Sequence, residues 1–200
     1  MQQFKRQGEL FDDFDSFYQS PAKSSNELFL SKEVLENWQR TVCAHQSDLF
    51  QGKLNTRLQG SLFSQNSETP RNNLNPLKLT PLPINFWKWP RSDHTGPAIY
   101  LVMDKLSNSS NLLLYIGETL AAEKRWKGEH DCKKYVEAYL QSLQKAGLEA
   151  QLSIRFWSDV PQETKARRLL EQKLIQAWLP PFNKETRNRW GTPFTSDITP

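Results

Sequence analysis

Two apolar runs, Ala98–Asp104 and Leu112–Ile116, lie on either side of the polar stretch Lys105–Ser110. The first run alternates, with Ile99, Leu101 and Met103 set against Tyr100 and Val102. Short runs of this kind joined by a polar turn predict an antiparallel hairpin. A hairpin symmetric about Ser107–Asn108 sets Tyr100 directly opposite Tyr115, with both phenols on one face. A slip of one residue would send them to opposite faces.

The hairpin is followed by two predicted helices, Thr119–Lys127 and Asp131–Ala146, and Gly147 stands where the second should stop. Leu152–Trp157 reads as a third strand. Gln162–Leu179 reads as a long helix stopped by Pro180-Pro181. Its apolar stripe is Ala166, Leu170, Leu174, Ala177 and Trp178, with Glu171 at the border. The expected fold is therefore α+β, a three-stranded antiparallel sheet flanked by helices, over residues 86–200.

Residues 1–85 read differently. Only Ser31 to about Ala44 has helical periodicity, with Ser31 as the cap and Val34, Leu35, Trp38 and Val42 on one stripe. Residues 64–83 carry Pro70, Pro76, Pro81 and Pro83 among Asn and Ser, which suits a linker. A mean hydropathy of −0.71 is polar for a chain that is compact throughout. The expectation is a largely irregular N-terminal arm with one short helix, and a small packed subdomain is the competing view. Nine basic and nine acidic residues cancel in 1–85, so the whole net charge of +4 falls in 86–200. A basic half suggests an anionic partner. Two cysteines, no apolar run of membrane-spanning length and no apolar segment after the first charges point to a cytoplasmic protein with no membrane partner.

Other chemistries are poorly served. His130-Asp131-Cys132 is too compressed for a zinc site, and no Gly-rich phosphate loop or Gly-x-Ser-x-Gly elbow is present. Pro97-Ala98-Ile99-Tyr100 and Tyr115-Ile116-Gly117 are more informative. With Arg125, Glu171 and Pro180-Pro181-Phe182-Asn183, they resemble, in order and spacing, the motifs of the GIY-YIG endonuclease superfamily. The interval from Glu171 to Asn183 is like that of the family's excision-repair incision nucleases. Ala98 replaces the first Gly of the family name, at a backbone position.

The resemblance implies hydrolysis of a DNA phosphodiester. Glu171 would hold one Mg²⁺ or Mn²⁺, with water and phosphate completing the shell. Arg125 would stabilise charge on the phosphate. Tyr100 or Tyr115 would orient or deprotonate the attacking water, Tyr100 being the family's choice, and His130 is an alternative proton acceptor. Asn183 would orient Glu171 or brace the closing turn. Each residue alone has a plainer reading. A strand tyrosine is ordinarily a core aromatic, Arg125 a surface cation, Asn183 a turn residue, and Glu171 could pair with Arg167 four residues earlier. Lys124, Lys127, Arg167, Arg168, Arg187 and Arg189 are candidate DNA contacts, and Phe86–Arg91 mixes aromatics with cations. No helix-turn-helix or zinc-finger pattern is present, so branched or distorted DNA is the expected substrate.

The N-terminal region repeats Gln-x-x-Leu-Phe three times: Gln7, Leu10, Phe11; Gln46, Leu49, Phe50; Gln59, Leu62, Phe63. Chance would give about 0.1 copies in a chain of this composition. The pattern resembles the peptide with which bacterial repair proteins grip the DNA polymerase sliding clamp, and Gln46–Phe50 is the best match because Asp48 also fits. The alternative is that the Leu-Phe pairs anchor the region to the domain. Rival functions are a non-catalytic DNA- and clamp-binding adaptor, and a mobile-element or restriction nuclease.

Overall fold

The structure is a computed structural model, and it describes residues 30–52, 74–85, 95–125 and 131–192. The elements in chain order are α1 (Lys32–Phe50), β1 (Leu82–Pro83), β2 (Ala98–Lys105), β3 (Asn111–Thr119), α2 (Ala122–Arg125), α3 (Asp131–Lys145), β4 (Leu152–Trp157) and α4 (Thr164–Trp178). The fold is α+β, with four antiparallel strands in the order β1-β4-β2-β3 rather than three. The extra strand is the two-residue β1, which lies in the stretch expected to be a linker. Pro83 is tolerated there because β1 is an edge strand, where a missing N–H costs no ladder bond. Arg155 on β4 fastens the segment before it, donating from Nη1 to the carbonyls of Pro76 (2.8 Å) and Leu79 (3.2 Å).

β2 is the centre of the molecule. Ala98, Tyr100 and Val102 belong to one apolar cluster, with Tyr139 and Val136 of α3 and Leu35, Trp38 and Val42 of α1. Ile99, Leu101 and Met103 belong to another, with Leu170, Leu174, Ile175 and Trp178 of α4. The strand alternates between two buried faces, so the period-2 pattern carries apolar residues on both sides.

α1 is part of this core and is longer than the short helix expected of the arm, most of which, residues 1–29 and 53–73, lies outside the described residues. Ser31 caps it, its Oγ accepting the Val34 N–H at 3.4 Å. The helix then runs to Phe50, past the predicted end near Ala44. His45-Gln46-Ser47-Asp48 breaks the apolar stripe, but Gln46 is itself fully buried and paired. Leu35, Trp38 and Val42 pack on one face of the sheet, while Leu49 and Phe50 reach the cluster on the other. α1 therefore wraps the β3 edge.

The hairpin register differs from the symmetric one. Tyr100 pairs with Gly117 and Tyr115 with Val102, and the ladder shifts between Val102 and Met103. Leu113 and Tyr115 have successive partners there, so Leu114 is the extra residue of a bulge. Between the bulge and the mouth of the hairpin, Tyr115 is displaced from Tyr100 by two positions. An even displacement keeps the face, so the rings still meet, offset-stacked at 5.8 Å between centroids and 30° between planes.

Candidate active site

The site is built on the last residues of β3, which is an edge strand. Its outward backbone groups need partners. The partners come from α1, from α4 and from the turn after α4. Gln46 of α1 donates from Nε2 to the Leu113 carbonyl (3.0 Å), and its Oε1 accepts the Leu113 N–H (2.8 Å). The bulged Leu114 turns its carbonyl to the Phe182 N–H at 2.9 Å. Asn183 repeats the amide pairing on Ile116, with Oδ1 accepting its N–H at 3.0 Å and Nδ2 donating to its carbonyl at 2.8 Å. Glu171 of α4 accepts the Glu118 N–H on Oε1 at 2.9 Å. Two side-chain amides thus act as surrogate peptide groups, and the edge is sealed along Leu113–Glu118.

This sealing brings together four of the residues singled out in the sequence. Tyr100 lies with its hydroxyl end over Gly117; a Cβ there would stand 2.7 Å from Tyr100 Cε1 and closer still to Cζ and Oη. Tyr115 stacks beside it, Asn183 clamps Ile116, and Glu171 addresses Glu118. The two phenols differ in access: Tyr100 is fully buried, against Phe156 as well as Tyr115, whereas Tyr115 is half-buried. Asn183 braces the turn after α4 rather than touching Glu171. It is buried, and it also holds Thr186 and Arg187 through its carbonyl. Glu171 is half-buried. Arg125 ends α2, six residues beyond the end of β3, and the Ala122 N–H at the start of that helix is tied to the Gly96 carbonyl at 2.9 Å. The Arg125 side chain, Lys127, His130 and Phe86–Arg91 lie outside the described residues.

The proposed DNA contacts separate. Arg167 is not on the surface: its side chain is 0% exposed, and it pairs with Glu118 (Nε to Oε2, 3.0 Å) and not with Glu171. It also donates to the carbonyls of Pro161 and Gln162 and to Thr164 Oγ1. A guanidinium so enclosed cannot meet a phosphate, and this corrects its assignment. Arg168 is exposed while its Nε holds the other oxygen of Glu118 at 3.2 Å. Lys124 and Arg189 are exposed, and Arg187 is half-buried on the Tyr135 hydroxyl. Glu118 was missed in the sequence, because its partners are some fifty residues away.

The Gln46–Phe50 copy of the repeated pattern is spent inside the fold. Besides Leu113, Gln46 donates to the Trp178 carbonyl at 3.1 Å, and Phe50 meets the Trp178 ring edge-on at 4.8 Å. In this conformation Gln46 is buried and Leu49 and Phe50 are half-buried against the core, so this copy serves as an anchor. The copies at Gln7, Leu10, Phe11 and Gln59, Leu62, Phe63 lie outside the described residues.

A second polar group sits at the other end of the sheet. Asp104 is buried and accepts the Tyr139 hydroxyl (2.8 Å) and the Gln151 N–H (2.8 Å), while Gln39 donates to the same hydroxyl at 2.6 Å. Burial raises the Asp104 carboxyl above the usual carboxylate range and raises Tyr139 well above that of a free phenol. Cys43, above this network in a cleft of about 440 Å³ beside the hairpin turn, is pushed up to about 11 by burial and by Asp104. Its thiol donates to the Asn111 carbonyl at 3.6 Å.

The carboxylate at the β3 end that could hold a single hard divalent ion is Glu171. Such an ion needs one oriented carboxylate and open positions for water and phosphate oxygens. No group of three or more His, Cys, Asp or Glu side chains is arranged for a metal among the described residues, so a closed protein cage is not what these residues offer. Among the described residues no helix is long and apolar enough to cross a membrane. Comparison with protein-family models, curated proteins and solved structures finds no match to this chain.

Proposed function

We propose that the chain is a metal-dependent DNA endonuclease of the GIY-YIG kind, acting on branched or distorted DNA in repair or recombination. The observation that carries the reading is the meeting of Tyr100, Tyr115, Glu171 and Asn183 around residues 115–118 of β3. These residues are far apart in sequence, and their resemblance to the family's motifs was a matter of order and spacing alone.

Glu171 would hold Mg²⁺ or Mn²⁺, which when bound supplies charge neutralisation at the phosphate and capture of the leaving oxygen. Tyr115, the phenol with solvent access, would orient the attacking water, or take its proton once its own phenolic proton has been lost to solvent beside the cation. Tyr100 would fix the Tyr115 ring from its buried side. Arg125 would pair with a non-bridging phosphate oxygen, and Lys124 and Arg168 would hold the flanking backbone. Asn183 keeps β3 and the turn after α4 in register, so the carboxylate and the phenols stay in one place. The sliding clamp remains a proposed partner only through the Gln7–Phe11 and Gln59–Phe63 copies.

The test is cleavage of a panel of duplexes, flaps, forks, four-way junctions and mismatches with Mg²⁺ or Mn²⁺. Wild type should nick at least one branched or distorted member, and Tyr115→Phe, Arg125→Ala and Glu171→Ala should each lose on the order of a hundredfold or more. If all three variants cut like wild type, the site is wrongly assigned. DNA binding without cleavage across the panel would favour the adaptor, and cutting at one duplex sequence would favour the restriction or mobile-element nuclease.

A further inference from the structure

We infer that Glu118 is a positioning residue for Glu171 and sets the divalent-cation affinity of the site, an inference that rests on the nuclease reading above. Glu118 holds α4 in two ways. Its backbone N–H donates to Glu171 Oε1 at 2.9 Å. Its carboxylate, 15% exposed, spans Arg167 Nε at 3.0 Å and Arg168 Nε at 3.2 Å. Arg167 is one helical turn before Glu171, so the two lie on the same helix face. That face is therefore fixed to one β3 residue at two heights.

Arg167 extends the hold backwards. Its remaining donors fasten the carbonyls of Pro161 and Gln162 and the Thr164 hydroxyl, so the same guanidinium that meets Glu118 also fixes the chain entering α4. The arrangement has a consequence for charge. Two guanidinium groups stand three and four residues before Glu171, within reach of it on a helix. Glu118 occupies both, and this keeps them from neutralising the carboxylate that the cation needs. Without the Glu118 charge, Arg167 and Arg168 would turn to Glu171 and compete with the metal. Groups that orient a metal-binding carboxylate in this way commonly change metal affinity by about ten- to a hundredfold when they are removed.

The experiment measures Mn²⁺ binding to the full chain without DNA, by the loss of the free-ion electron paramagnetic resonance signal, alongside cleavage at rising Mn²⁺. Glu118→Gln should bind Mn²⁺ about tenfold or more weakly, and its cleavage should recover toward the wild-type rate at saturating Mn²⁺. A purely structural role would not give that separation of affinity from maximal rate. Because Glu118→Gln leaves a buried guanidinium unpaired, Glu118→Gln/Arg167→Gln is the companion variant; it should stay folded and still bind Mn²⁺ more weakly than wild type. A folded variant of either kind with wild-type Mn²⁺ affinity overturns the inference. Equal Mn²⁺ binding by wild type and Glu171→Gln would instead overturn the metal assignment, and the role of Glu118 with it.

Discussion

Gly117 has two neighbours that matter, and only one was visible in the sequence. As the last letter of Tyr115-Ile116-Gly117 it belongs to a motif; in space it is the floor under the Tyr100 hydroxyl. Tyr100 cannot move aside easily, since it is fully buried between Tyr115 and Phe156 at 5.8 and 6.2 Å. Gly117→Ala should therefore force the ring or the strand to shift, lowering stability by about 1–3 kcal/mol as overpacking does. Cleavage should fall further than Tyr100→Phe makes it fall, because the displaced ring also loses its stack on Tyr115. Urea unfolding and the same cleavage assay check both parts; an unchanged midpoint would show that the strand has room to yield. The residues that meet around β3 could be singled out because they sit in short motifs. Burial could not be read in this way: nothing in the local sequence distinguishes the enclosed Arg167 from the exposed Arg168, which share Glu118 on a distant strand, and the difference is that Arg167 alone is also held by the Pro161 and Gln162 carbonyls and the Thr164 hydroxyl.

Element boundaries were legible where apolar period and stop signals agree. Leu152–Trp157 has the predicted limits, and α3 ends at Lys145, just before Gly147, where the Leu148 N–H closes back on the Leu143 carbonyl at 2.8 Å. They failed where a polar residue serves the core. The last turn of α1 looked solvated because Gln46 has a polar side chain, yet Gln46 is 0% exposed and answers three backbone groups. The hairpin register was missed for a related reason: the Leu114 bulge is supported by the Phe182 N–H, a long-range partner that strand patterning cannot show. These observations give the Gln46-x-x-Leu49-Phe50 pattern a definite expectation. Gln46→Ala leaves the Leu113 N–H and two carbonyls without the side chain that pairs them, and should cost about 2–3 kcal/mol. The midpoint in urea measures this, and a loss within about 0.5 kcal/mol, ordinary for a surface change, would return the motif to a role outside the fold.

At the scale of the whole molecule α1 and β1, both before residue 86, pack with the sheet and its core. Leu35 and Val42 are fully buried and Trp38 is 8% exposed, its ring 6.0 Å from Tyr139 and 6.4 Å from Phe182. Burying three such side chains is worth roughly 1.5–3 kcal/mol each. Their sum is comparable to the roughly 5–15 kcal/mol by which a whole domain is stable. Without α1, Leu113 also loses the amide that seals it, and the β3 edge stands open there to pairing with another chain. A chain beginning at Phe86 should therefore lack a cooperative urea transition and should associate. A chain beginning at residue 30, which keeps α1 whole, should unfold at close to the full-length midpoint. The two chains separate the alternatives through the same measurement. If the one from Phe86 unfolds cooperatively at the full-length midpoint and stays monomeric, α1 is an accessory laid on a self-sufficient domain, and the sealing of β3 by Gln46 does not hold the site together.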